Sequence, residues 1–326
     1  MLVPRYWAEA RVQHRDSQRQ VTIRRFGWSQ TSEADAQQLA EARAQEALQR
    51  VLAGEDLKRR ERLDEYGTEQ GAPIREEILE EVGRCVITRN SYGAHCLNVP
   101  DVLFADVDFV LPRPKPSGVG VLLTTGIALV ATGFATGNAG ILYAGIGLLV
   151  ASAVRGFVSH KANRRAAEQQ REQEEKRTLA RIEAFSQKHP DWHLRVYRTP
   201  NGYRLMALHR LFAPGAPETQ AALKELQADL RFVFLCALQQ CFRARLTGKP
   251  WRMDVKGRLP SRAWPVTGKA WERRKAWCAQ YDARTREFAA CRYLGSYGSR
   301  EAHPLALQAM DLHDARCQAL SDLPLA

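Results

Sequence analysis

Residues 116–154 read PSGVGVLLTTGIALVATGFATGNAGILYAGIGLLVASAV, and the architecture of the chain follows from how they are solvated. Between Lys115 and Arg155 there are 39 residues without a Lys, Arg, Asp, Glu or His side chain. A single helix needs about 20 apolar residues to cross a hydrocarbon core roughly 30 Å thick, and this run is about twice that long. Its centre, Thr136-Gly137-Asn138-Ala139-Gly140, is rich in turn formers, which predicts two crossings over residues 119–135 and 141–157. The competing reading is a helical hairpin buried in a soluble core. A hairpin meeting water normally shows a polar stripe, and Thr124, Thr125, Thr132, Thr136 and Ser152 do not supply one.

Cations flank this run on both sides: Arg113 and Lys115 before it, and Arg155, Lys161, Arg164 and Arg165 after it. The central turn carries no charge, so the positive-inside rule places both flanks, and with them both termini, in the cytoplasm. Residues 1–9 lack the apolar run of a cleavable signal, so the hairpin is read as an internal anchor. Gly133-x-x-x-Gly137 and Gly147-x-x-x-Ala151 have the spacing of closely packed helices in lipid, a route to homo-oligomers. Cys85, Cys96, Cys236, Cys241, Cys278, Cys291 and Cys317 form an odd set with no Cys-x-x-Cys pair and no metal-ligand spacing with histidine, and His193, His303 and His313 have no zinc-type spacing. Free thiols in a reducing compartment are expected.

About 280 residues lie outside the hairpin, enough for one large or two modest domains. They carry the net charge of +12. Residues 1–62 predict a ββα unit with strands over 5–14 and 20–26. Its helix begins at Ser32-Glu33-Ala34-Asp35, stops at Gly54 and has Ala40, Ala44, Ala47, Leu48 and Val51 on one face. Residues 55–71 read as a polar linker. Residues 72–117 form the first part of a cytoplasmic domain, with strands over 84–89, 92–98 and 102–110 and a stiff Pro112-x-Pro114-x-Pro116 approach to the hairpin at 118–158. A polar helical stalk spans 159–189. Residues 190–326 complete the domain with strands over 192–198 and 203–209, and helices over 218–226, 230–246, 270–290 and 305–320. The strands on either side of the hairpin are expected to share one sheet, because neither group alone hides its apolar face. The predicted class is α+β: a cytoplasmic mixed sheet with helices, interrupted by a two-helix transmembrane hairpin.

Two features suggest chemistry. The strand Val102-Leu103-Phe104-Ala105-Asp106-Val107-Asp108 ends in two acids spaced by one residue, on one face of a sheet. Such a pair suits Mg²⁺ or Mn²⁺, and suits equally a strand end whose acids pair with arginines. From Arg243 to Lys275 there are eleven Lys or Arg residues against two acids. These are Arg243, Arg245, Lys249, Arg252, Lys256, Arg258, Arg262, Lys269, Arg273, Arg274 and Lys275, interleaved with Trp251, Trp264 and Trp271. That pattern fits anionic lipid, the backbone of a nucleic acid, an acidic protein or simply a solvated face. There is no Walker sequence, and Gly295-Ser296-Tyr297-Gly298-Ser299 lacks the Gly-x-Ser-x-Gly elbow.

The order of elements in residues 1–62, with its Ala-rich helix, resembles the arm-binding domain of phage-type integrases, and a generic packing unit has the same pattern. The strand ending Ala105-Asp106-Val107-Asp108, with the later Gly202-Tyr203-Arg204-Leu205-Met206-Ala207-Leu208-His209, resembles the first two motifs of the archaeo-eukaryotic primase superfamily. That likeness implies metal binding by Asp106 and Asp108 and triphosphate contact by His209. Arg204 would assist, although an unbroken strand puts it on the face opposite His209. The family's third acidic motif has no counterpart placed here, and a hairpin between the first two departs from its pattern. His209 fits equally as an ordinary polar residue at a strand end. The layout as a whole resembles bacterial transmembrane proteins with cytoplasmic domains, which implies a multi-pass protein of the inner membrane. The leading expectation is a membrane-anchored interaction or scaffold module. The alternative is a metal-dependent primase-like nucleotidyltransferase or nucleotide-binding protein.

Overall fold

A computed structural model describes residues 3–17, 19–61, 73–111, 119–262 and 264–326. The chain divides into two compact units, Met1–Asp108 with Glu183–Ala326, and Phe109–Ile182. The proline-rich approach at 112–116 and most of the 55–71 linker lie outside the described residues.

In the first unit, β1 (Tyr6–Arg15) and β2 (Gln20–Ser29) form an antiparallel hairpin. Helix α1 (Glu33–Leu52) follows it. Ser32 caps that helix by accepting a hydrogen bond from the Asp35 amide, and Ala36, Ala40, Ala44 and Ala47 are buried along one stripe. Small side chains let the helix backbone approach closely: a Cβ on Gly27 of β2 would sit 2.3 Å from the Ala40 nitrogen.

The remaining strands are β3 (Glu77–Val82), β4 (Cys85–Arg89), β5 (His95–Val99), β6 (Phe104–Asp108), β7 (His193–Thr199), β8 (Gly202–Ala207), β9 (Phe242–Arg245) and β10 (Arg292–Gly298). They form two four-stranded sheets rather than one, in the orders β3-β4-β5-β9 and β10-β7-β8-β6, and every ladder in them is antiparallel. Strands from both sides of the apolar insertion do pair: β5 with β9 and β6 with β8. Strands β3 and β10 are additions to the sequence reading. Helices α4 (Pro217–Glu225), α5 (Leu230–Gln239), α6 (Gly268–Thr285) and α7 (Pro304–Cys317) belong to the same unit, which makes it α+β. The predicted helix over 230–246 is cut short. Gln240 adopts a left-handed conformation (φ 51°), and residues 242–245 pair with β5 instead.

The second unit contains α2 (Val119–Thr136) and most of α3 (Ala139–Lys188), joined at Gly137-Asn138. The predicted second crossing and stalk are one continuous helix, about 75 Å long at 1.5 Å per residue. Both helices are long and apolar enough to cross a membrane, and only 11% of each apolar window is buried. They pack through positions seven residues apart: Gly126 and Gly133 on α2, and Gly145 and Ser152 on α3. A Cβ on Gly133 would lie 2.6 Å from the Leu142 nitrogen, and one on Gly145 2.6 Å from the Val130 nitrogen. The Ser152 hydroxyl lies 3.5 Å from the Val119 carbonyl. Of the spacings singled out above, only Gly133 is in this seam. Gly137 makes the turn (φ 65°), and Gly147 and Ala151 face outward on α3.

Candidate functional site

Strand β8 lies between β7 and β6, and all six of its residues are buried. One of them is Arg204, only 2% exposed. An arginine there must have its charge met within hydrogen-bonding reach. Register supplies the partner, since Asp106 of β6 stands directly opposite Arg204. Arg204 Nε donates to Asp106 Oδ1 at 2.8 Å and Nη2 to Oδ2 at 3.2 Å, a two-pronged pair. Its Nη1 donates to the Arg245 carbonyl at 2.8 Å. The turn that sets this register is Pro200-Asn201, flanked by the paired Thr199 and Gly202. Neither Asn201 nor Gly202 has a positive φ. Gly202 is instead required for closeness, because a Cβ there would lie 2.1 Å from the Val107 carbonyl oxygen.

Asp106 and Asp108 point into one cleft of about 130 Å³, lined also by Thr199, Pro200, Asn201, Arg204, Arg245, Lys249 and Arg252. Burial works against ionising Asp106, but Arg204 outweighs it, with smaller help from Arg245 and His313, and holds the carboxyl below its usual range. Asp108 shifts the other way: burial and the neighbouring Asp106 charge raise it, against Lys249. Burial and the adjacent Arg245 and Arg252 lower the Lys249 ammonium. The two acids therefore differ in kind. Asp106 is committed to a buried guanidinium, while Asp108 is exposed at the cleft mouth.

His209 is not in this cleft. It follows the far end of β8, with its ring 4.8 Å from Trp192 and 5.4 Å from Phe212 between centroids. Among the described residues neither ring nitrogen has a hydrogen-bond partner, and burial with nearby Arg210 lowers the imidazole to about 4. Asp106, Asp108 and Arg204 thus come together without the histidine. Sequence reasoning missed Lys249, Arg245 and Arg252 as walls of the cleft, since they were grouped by charge density alone. The pairing of β9 with β5 is what carries Arg245 there.

The basic stretch is also divided. Arg243 pairs with buried Glu76 at 2.6 Å, and buried Arg274 pairs with Glu77 at 3.0 Å and donates to the Ser261 carbonyl. Trp264 and Trp271 pack at 5.9 Å, with Arg274 and Lys275 each 5.8 Å from one of the rings. Trp251, 61% exposed, stands beside Lys249. Lys256, Arg258, Arg262, Lys269, Arg273 and Lys275 are exposed.

No family model, curated protein or solved structure matches the chain. What it does is therefore inferred from its own residues.

Proposed function

We propose that this is an integral membrane protein of the bacterial inner membrane, anchored by the α2–α3 hairpin, with both termini and the α+β unit in the cytoplasm. The supporting observation is the outward face of the hairpin. Val121, Ile127, Phe134, Tyr143, Val150, Val154 and Phe157 are all more than half exposed. In water, leaving a side chain of this size uncovered forgoes about 1.5–3 kcal/mol of burial each, and a bilayer supplies the missing cover. The α+β unit is an interaction module. Its exposed cations and Trp251 suit anionic phospholipid, where each cation near the surface contributes about 1 kcal/mol. The test is alkaline extraction of membranes from cells expressing the full chain, with reporters at each terminus. Retention in the membrane with both reporters cytoplasmic is expected; release of the chain, or a periplasmic reporter, would refute the topology. In nanodiscs, quenching by brominated anionic lipid that is lost in Trp251→Phe and weakened by salt would support the lipid contact.

A second reading is favoured by the cleft's composition, Asp108 with Arg245, Lys249 and Arg252 along its lining, which suits a phosphate ligand bridged by Mg²⁺ or Mn²⁺. With Asp106 taken by Arg204, one carboxylate is left to meet metal. Mn²⁺-dependent nucleotide binding that disappears in Asp108→Ala would support a nucleotide-handling role, and no binding in the wild type would remove it.

A further inference from the structure

The geometry points to a separate metal centre behind Arg204: we propose that Cys291, His313 and Cys317 bind one thiophilic d¹⁰ cation, zinc or copper(I). His313 and Cys317 sit four residues apart on α7, one turn apart on one helix face, and Cys291 comes from the segment entering β10. Their donor atoms all lie within 4.8 Å of one another, and Cys291 Sγ is 3.9 Å from His313 Nε2. Metal bonds of about 2.3 Å to sulfur and 2.0–2.1 Å to nitrogen would hold such donors roughly 3.5–3.8 Å apart. The cluster therefore has to contract by less than about 1 Å. All three side chains are fully buried.

The surroundings are those of a ligating histidine. His313 Nδ1 lies 2.9 Å from Asp314 Oδ1, and Asp314 is itself held by Arg195. A carboxylate on Nδ1 keeps the proton there and turns the Nε2 lone pair toward the sulfurs. Phe104 and Tyr197 flank the imidazole at 5.3 and 4.9 Å between centroids and fix its plane. Charge balances as well. Two thiolates neutralise a divalent ion, and binding releases their protons. Arg204 Nη1 lies 3.4 Å from His313 Nε2, a contact the cation would replace, while the guanidinium stays tied to Asp106 and the Arg245 carbonyl. Soft sulfur donors select zinc or copper(I) over hard cations. Copper(I) is satisfied by three such donors, and zinc needs a fourth. Burial closes the centre to substrates, so its role is a clasp between α7 and the start of β10.

The test uses the full chain in detergent, purified without metal-affinity resin. Elemental mass spectrometry is expected to find about one zinc or copper per chain. Cys278→Ser, outside the cluster, retains the metal, and Cys317→Ser loses it. Because Cys317→Ser also alters a fully buried position, chelator-stripped wild type is titrated with Co²⁺ as well, where tetrahedral d–d absorption with a sulfur-to-cobalt charge-transfer band is expected. Less than about a tenth of an equivalent of metal together with no cobalt band would overturn the proposal. So would recovery of Cys291 and Cys317 as a disulfide from freshly lysed cells.

Discussion

Asp106→Ala separates a structural acid from a catalytic one. Arg204 is 2% exposed and meets Asp106 through two hydrogen bonds at 2.8 and 3.2 Å. Removing the carboxylate leaves a buried cation with only neutral groups beside it, the Arg245 carbonyl and, at 3.4 Å, His313 Nε2, a loss of about 3–5 kcal/mol. Against a domain stability of about 5–15 kcal/mol this is a large fraction. For a unit of this size, each kcal/mol shifts Tm by about 2–4 °C, so a fall of roughly 6–20 °C is expected. The assay is thermal unfolding of the detergent-solubilised chain followed by circular dichroism. Two comparators bracket it. Asp108→Ala, exposed at the cleft mouth, stays within about 0.5 kcal/mol of wild type. Asp106→Leu with Arg204→Met replaces both charges by apolar groups and recovers most of the loss, since a buried pair contributes little net stability over a well-packed apolar substitute. A Tm for Asp106→Ala within 1–2 °C of wild type, or a double variant as unstable as the single, would refute the buried-pair account.

Three further outcomes follow from other parts of the fold. Gly145→Leu puts side-chain atoms where even a Cβ lies 2.6 Å from the Val130 backbone; overpacking should cost about 1–3 kcal/mol and lower the midpoint of α2–α3 unfolding in detergent, whereas Gly147→Leu, in open space, leaves it unchanged. His209 is held neutral down to about 4. Because the unfolded chain then binds the extra proton, stability is complete above about pH 6.5 and declines by roughly 1–2 kcal/mol as pH falls toward 4, after allowing for partial solvent screening. His209→Leu should flatten that slope in acid-unfolding curves, and an unchanged slope would contradict the assignment. Ser32→Ala removes the acceptor for the Asp35 amide and should lower stability by about 1 kcal/mol, read from urea midpoints, with Ser32→Asn close to wild type.

The apolar insertion was legible because missing charge is a signal along the chain that needs no knowledge of neighbours. The ββα unit was legible for a similar reason: alternation, a cap and an alanine stripe are all local. The two-sheet arrangement was not. Strand β3 reads Glu-Ile-Leu-Glu-Glu-Val, and its acids mask an edge strand. Residues 230–246 keep an apolar helical period through the point where Gln240 turns left-handed, and pairing with β5 overrides local preference thereafter. At the candidate site, the same-face placement of Asp106 and Asp108 was readable from period-two geometry. Arg204 was not recognisable as buried, because an arginine in an apolar run reads as a solvent-facing interruption until the opposing strand is known. The grouping of His313 and Cys317 with Cys291 was not legible, because the cysteine and histidine spacings along the chain match no metal-ligand pattern and only the fold brings Cys291 to that helix face.

The pairing of β6 with β8 has a consequence for biogenesis. A ribosome that has just released Asp108 must add about ninety more residues, including the whole greasy insertion, before Gly202 emerges to meet it. At about 5–20 residues per second, the nascent β6 edge waits roughly 5–20 s for its mate. Throughout that delay the half-made sheet offers unsatisfied amides to any passing strand, so shielding of this edge must outlast synthesis of the insertion. A chain stalled after the apolar insertion but before β8 would keep that edge open, and be a natural target for quality-control proteolysis.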